Sequence, residues 1–220
     1  MGYTNSPLVS YTCLSPNHSG ERNHTIDTVT IHCVVGQASV ETLGSLFSKE
    51  STQASSNYGI GYDGKIGLYV EEKNRSWCSS SGSNDHRAIT IEVASDAVHP
   101  YKVNDVAMAA LVNLLTDICK RNNIKQLLWR ANKNLIGQVD KQNMTVHRWF
   151  AAKECPGEYL YNKHSEIAAE VNKRLSQEIP EQNDELYRVQ CGAFRNRQNA
   201  ENLLQKLKSQ GYSDAFIVKR

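Results

Sequence analysis

Two short segments alternate apolar and polar side chains, and each carries one chemically capable residue on its polar side. From Thr28 to Val35, the residues Val29, Ile31, Cys33 and Val35 fall on one side and Thr30, His32 and Val34 on the other. From Ala88 to Val93, Ile89, Ile91 and Val93 oppose Thr90 and Glu92. A period of two belongs to a strand, because successive side chains leave opposite faces of the pleat. Helical patterns separate such segments. Ser39 caps a short helix with Val40, Leu43, Leu46 and Phe47 on one face. Asn104 starts a longer helix with the stripe Val106, Ala110, Leu111, Leu114, Leu115 and Ile118, closing on Lys120 and Arg121 at the negative end of the dipole. A third helix follows Pro156-Gly157 and carries Leu160, Ile167, Val171 and Leu175. Tyr58–Tyr62 and Lys65–Val70 flank Asp63-Gly64, a two-residue hairpin signal. Gln126–Arg130 reads as a short buried strand. Alternating strands and helices predict an α/β domain over residues 1–176, with a mixed central β-sheet flanked by helices.

The remainder differs in character. Residues 177–185 are polar, contain Pro180 and read as a linker. Residues 186–220 then predict a small β-α-β unit: strand Tyr187–Cys191, helix Arg197–Ser209 with Ala200, Leu203, Leu204 and Leu207 inward, Gly211 as the stop, and strand Ala215–Val218. This unit holds seven Lys/Arg against two Asp/Glu, a charge of +5, while the rest of the 220-residue chain sums to −3. A basic appendage on a mildly acidic body suits an anionic surface, although a solvated helix face has the same composition. It lacks the basic patch interleaved with aromatics that nucleic-acid binding needs. No apolar run is long enough to span a bilayer. The first residues carry no basic region followed by an apolar stretch, so no secretory signal is expected and synthesis in the cytoplasm is. The six cysteines are scattered and form no Cys-x-x-Cys pair, which argues against a disulfide framework and a four-cysteine zinc site.

A catalytic zinc takes three protein ligands and keeps one open position. His32, His147 and Cys155 form a candidate set. His32 lies on the polar face of its strand. His147 follows the extended run Met144-Thr145-Val146, and Cys155 precedes Pro156-Gly157, a turn able to aim a thiolate back toward His147. Cys33 neighbours His32 but faces the other side. His18, His24, His86, His99 and His164 fall in loops or on a helix flank with no convergent partner. A lone histidine is more often surface or satisfied core, and a lone cysteine a small buried hydrophobe, so spacing by itself leaves the set open.

Several pieces together resemble a known family: Thr30-Ile31-His32; Asn57-Tyr58-Gly59-Ile60 before Asp63-Gly64; Asn84 with Ile89-Thr90-Ile91-Glu92-Val93; and His147 with Lys153-Glu154-Cys155-Pro156-Gly157. In order and spacing, residues 24–176 resemble the zinc-dependent N-acetylmuramoyl-L-alanine amidases, which include phage endolysins, muropeptide-recycling amidases and peptidoglycan-recognition proteins. The resemblance implies a peptidoglycan-recognition-protein/amidase fold, Zn2+ held by His32, His147 and Cys155, and cleavage of the amide between muramic acid and the stem peptide. It implies that Glu92 activates water and that Lys153 and Tyr58 face the scissile carbonyl, with Trp77 and Asn84 near substrate. Cys78 departs from the pattern, since family members often carry histidine after the matching tryptophan. Family members that lack the third ligand bind wall fragments without cutting, so a non-catalytic recognition module is the alternative; Cys155 and Lys153 argue against it. Leu186–Phe194 and the following helix resemble one half of a sporulation-related (SPOR) repeat, which implies that Gln190, Phe194, Arg195 and Arg197 bind cell wall and that a second copy could pair in a homodimer. The expected partner is bacterial peptidoglycan, reached after release through a holin or lysis, with no nucleic acid and no membrane insertion.

Overall fold

Thr28–Cys33 and Ala88–Val93 are neighbouring parallel strands in the interior of a six-stranded sheet, in the register Thr30↔Thr90 and His32↔Glu92. Register partners share a face, so the two apolar sets line up on one side and Thr30, His32, Thr90 and Glu92 on the other. The computed structural model describes residues 3–177 and 189–218. In chain order the strands and α-helices are β1 (Tyr11–Thr12), β2 (His18–Glu21), β3 (Thr28–Cys33), α1 (Val40–Phe47), β4 (Tyr58–Ile60), β5 (Ile66–Leu68), β6 (Asn74–Ser76), α2 (Gly82–Arg87), β7 (Ala88–Val93), α3 (Asp105–Arg121), β8 (Met144–Thr145), α4 (Gly157–Gln177) and α5 (Arg197–Ser209). The large sheet runs β1-β5-β4-β7-β3-β8; only β4 and β5 are antiparallel, and β2 pairs with β6 in a separate ribbon.

The apolar face is covered by α3 and α4. Val29, Ile31, Ile89 and Ile91 pack there with Leu111, Leu114, Leu115 and Ile118 of α3 and Leu160, Ile167 and Val171 of α4. A smaller cluster of Leu43, Phe47 and Tyr69 lies under α1. Both capping expectations hold: Ser39 Oγ accepts from Thr42 N at 3.2 Å and Asn104 Oδ1 from Ala107 N at 2.8 Å, each contributing about 1 kcal/mol.

The departures have local causes. β3 stops at Cys33, because Val35 turns into the left-handed region at φ 59 and is exposed. Leu46 and Val106 are exposed rather than inward; Val106 instead backs the hairpin, where a Cβ on Gly64 (φ +80) would come within 2.9 Å of its side chain. That hairpin closes through Gly61 N–H to Lys65 O at 3.0 Å, a longer loop than the expected two-residue turn. Gln126–Arg130 forms no ladder. Side-chain amides satisfy its backbone instead: Leu127 N donates to Asn172 Oδ1 at 2.7 Å, and Leu128 N to Asn143 Oδ1 at 2.7 Å. His164 is buried inside α4, with Nδ1 2.6 Å from Leu160 O and its ring 4.4 Å from that of Trp129.

No described helix is long and apolar enough to cross a membrane. The chain divides into two compact units, Met1–Ile179 and Pro180–Arg220. In the second, α5 has the expected bounds and Gly211 adopts φ +98 just past its end. The flanking strands of the expected β-α-β unit are not formed among the described residues: 189–191 and 215–218 carry no ladder. Two short strands without further partners leave most of their hydrogen-bonding groups to water and gain little from pairing. Residues 187–188 and most of the expected linker, 178–185, lie outside the described residues.

Candidate metal centre

Two distant parts of the chain deliver His32, and His147 with Cys155, to one point. His32 ends the polar face of β3 and is fully buried. β8 runs parallel to β3 with Thr30↔Thr145 in register, so the 3-10 turn that follows, His147–Trp149, begins beside His32. The loop after it returns through Arg148 N–H to Cys155 O at 3.0 Å, which sets Cys155 against the same spot. Gly157 holds the end of this loop at φ +79, and a Cβ there would lie 2.7 Å from the Tyr101 ring. The His32 and His147 rings are 5.1 Å apart, and His32 Nδ1 is 3.3 Å from Cys155 Sγ.

Ligand atoms of all three residues lie within 4.8 Å of one another. Tetrahedral ligands at about 2.1 Å (nitrogen) and 2.3 Å (sulfur) from one zinc stand about 3.5 Å apart, so the pair distance suits a shared ion. Burial drives the His32 imidazole down to about 3, with His147 adding to the shift, and lowers His147 as well. Both rings are therefore neutral at pH 7, the form that ligates a metal. The Cys155 thiol is pushed up, first by its hydrogen bond with Cys33 and then by burial. Cys33 packs on the apolar face, as its strand phase requires.

Glu92 stands beside His32, with Oε1 4.0 Å from His32 Nδ1. Its Oε2 is sealed from solvent without a partner, and so is His32 Nε2. Burial raises the Glu92 carboxyl to about 8, and nearby Cys33 adds to the rise. Lys153 is exposed and lines a cavity of about 320 Å³ with His99, Tyr101, Arg148, Glu154, Gly157 and Glu158.

Two expected site residues lie elsewhere. Tyr58 pairs with Ile91, which puts its ring on the apolar face, opposite His32 and Glu92. Its hydroxyl is fully engaged there, donating to Glu72 Oε1 at 2.6 Å and accepting from Ser6 N at 2.8 Å. Asn84 is only 5% exposed, and its side-chain amide is engaged inside the fold. Its amide joins three segments, donating to Thr30 Oγ1 at 3.0 Å and Ser79 Oγ at 3.2 Å and accepting from Thr145 Oγ1 at 2.9 Å. Trp77 is half-buried, with its indole N–H on Ser19 Oγ at 2.6 Å.

The loop after Trp77 brings two more residues to the site: Cys78, which the sequence marks only as a departure from the family pattern, and Ser80, which nothing in the sequence singled out. Cys78 Sγ lies 3.9 Å from Glu92 Oε1, and ligand atoms of His32, Cys78 and Glu92 fall within 4.8 Å of one another. Ser80 Oγ is 3.0 Å from His147 Nε2. The run Ser79-Ser80-Ser81-Gly82 has no periodicity that could have pointed to the Ser80 contact.

The family described as N-acetylmuramoyl-L-alanine amidase matches residues 22–158, which is most of the chain and includes every residue of the cluster. The chain belongs to that family. The amidase region is followed by a match to the SPOR domain over residues 183–220. Comparison with curated proteins gave no match. Among solved structures, a mutant endolysin from Bacillus subtilis superposes with a TM-score of 0.55 at 19% identity, over 73% of this chain and 97% of that one. A selenomethionine derivative of AmpD gives 0.53 at 16% identity, over 76% and 99%. The N-acetylmuramoyl-L-alanine amidase LysC from Clostridium intestinale gives 0.50 at 17% identity, over 77% and 95%. At these identities the structures establish a shared amidase fold, and the enzyme class follows from the family.

Proposed function

We propose that this amidase is zinc-dependent, that His32, His147 and Cys155 hold the ion, and that it hydrolyses the bond between the lactyl group of N-acetylmuramic acid and L-alanine in peptidoglycan. The observation that carries the proposal is the meeting of three ligand atoms within 4.8 Å, with the Glu92 carboxyl beside them. When bound, zinc supplies Lewis acidity that polarises a carbonyl and lowers the pKa of water. Glu92 takes the proton of the attacking water and returns it to the departing amine. A carboxyl shifted from the usual range toward neutrality suits both halves of that task. Lys153 faces the scissile carbonyl and offsets the charge that develops on its oxygen. Trp77, half-buried beside the loop that carries Cys78, contacts the substrate.

In the second unit, Gln190, Phe194, Arg195 and Arg197 are all exposed, and Phe194 keeps 48% of its surface. These residues are the proposed wall contacts of the SPOR region, holding the enzyme on its polymeric substrate. Digestion of purified peptidoglycan tests the reaction. The expected products are new alanine amino termini without new reducing sugar ends, with one zinc per chain by elemental analysis. New reducing ends would assign a glycosidase, and a zinc-free active chain would remove the metal from the reaction.

A further inference from the structure

Ser80 holds a backbone conformation that few side chains adopt, φ 63, in the loop between β6 and α2. Left-handed backbone at a non-glycine residue persists only where the surroundings over-determine it. Here the surroundings are visible. Asp85, 2% exposed, accepts from Cys78 N at 3.1 Å and Ser79 N at 3.0 Å through Oδ2, and from the Ser79 hydroxyl through Oδ1. The buried Asn84 amide ties Ser79 to Thr30 and Thr145, one on each strand that leads to a proposed histidine ligand. The loop is thereby indexed to β3 and β8, and the one side chain it turns toward His147 is Ser80, with Oγ 3.0 Å from Nε2.

We propose that Ser80 is a positioning residue for the metal site: its hydroxyl accepts from Nε2–H of His147, fixing the ring flip and the tautomer that leave Nδ1 for the ion. The inference rests on the zinc proposal above. A ligating histidine commonly donates its second N–H to an outer partner, and losing that partner costs about 10–100-fold in metal affinity. Ser80 is exposed, so water can take over part of the role, and the lower end of that range is expected.

The test uses the full chain with two substitutions that remove the hydroxyl and differ in backbone preference. Ser80→Gly accepts positive φ without strain, whereas Ser80→Ala does not. Zinc affinity is measured by competition against a chromophoric chelator, and the His147 tautomer by nitrogen-15 NMR of the zinc-loaded protein. Both variants should bind zinc about 10-fold more weakly and lose the protected Nε2–H signal, although Ser80→Gly relaxes the loop. Wild-type affinity in both variants, or weakening in Ser80→Ala alone, overturns the role of the hydroxyl and leaves the zinc site standing. A wild-type chain that takes up no zinc removes the metal proposal and this inference together.

Discussion

Replacing Tyr58 with phenylalanine separates the family-based expectation from the geometry. If the hydroxyl stabilised the developing oxyanion, its loss would cost about 2.7–4 kcal/mol of barrier, or 10²–10³ in kcat. The structure places it across the sheet from His32 and Glu92, in a buried network. There it donates to Glu72 Oε1 at 2.6 Å, while Arg121 holds the same carboxylate at 2.6 and 3.0 Å and Asn122 at 3.2 Å. A hydrogen bond to a charged group contributes about 1.5–3 kcal/mol, and Ser6 N, left without its acceptor, adds about 1 kcal/mol. Arg121 still neutralises Glu72 in the variant, so the lower end applies and the expected loss is about 2–3 kcal/mol. For a domain of this size, that lowers Tm by about 4–12 °C. The assay pairs thermal unfolding with kcat on a soluble muropeptide, measured well below the variant's Tm. The expected result is a less stable enzyme with kcat within about threefold of wild type. A fall in kcat of a hundredfold with Tm unchanged would refute the placement of Tyr58 and restore it to the active site.

Other outcomes follow from the same contacts. Cys155→Ser should lose bound zinc and on the order of 100-fold or more in activity while keeping the fold; a zinc-replete variant of near-normal rate would remove Cys155 from the ligand set. His164 is buried, which depresses its folded-state pKa to about 4, against about 6.5 unfolded. The native state therefore binds fewer protons, so this group's stabilisation is complete above pH 6.5 and is lost as pH falls through about 4, by at most about 3 kcal/mol. Denaturant titrations across that window should show a shallower pH slope in His164→Leu than in wild type; identical slopes would show that His164 does not contribute. Removing residues 183–220 should weaken retention on intact sacculi by more than it slows cleavage of soluble fragments; unchanged retention would end the wall-binding role of that segment.

What was legible in the sequence was legible through periodicity. In β3 and β7 a period of two, with one apolar face, assigns His32 and Glu92 to the same polar side before any contact is known. The helical stripes of α3 and α4 likewise locate the core, since burial must cover them. β4 offers no such signal. Tyr58, Gly59 and Ile60 are all buried, so both faces are covered, and an aromatic ring with a polar tip fits either one. Only the pairing with Ile91 decided the side on which Tyr58 stands. Gln126–Arg130 reads as a short buried strand, and only the tertiary structure shows its backbone partners to be the side chains of Gln142 and Asn143, just before β8, and of Asn172 on α4.

The stretch from Trp77 to Asp85, a loop running into α2, was the least readable. Its small polar residues lack a period, and their roles arise from a buried carboxylate and a buried amide that gather backbone and hydroxyl groups from several strands. The chain order therefore determined which residues could reach the polar face of the sheet. Which of them meet there, and which outer groups hold them, depended on strand register and loop closure between segments more than a hundred residues apart, such as His32 and Cys155, because local sequence carries no energetic record of contacts made only after the sheet has formed.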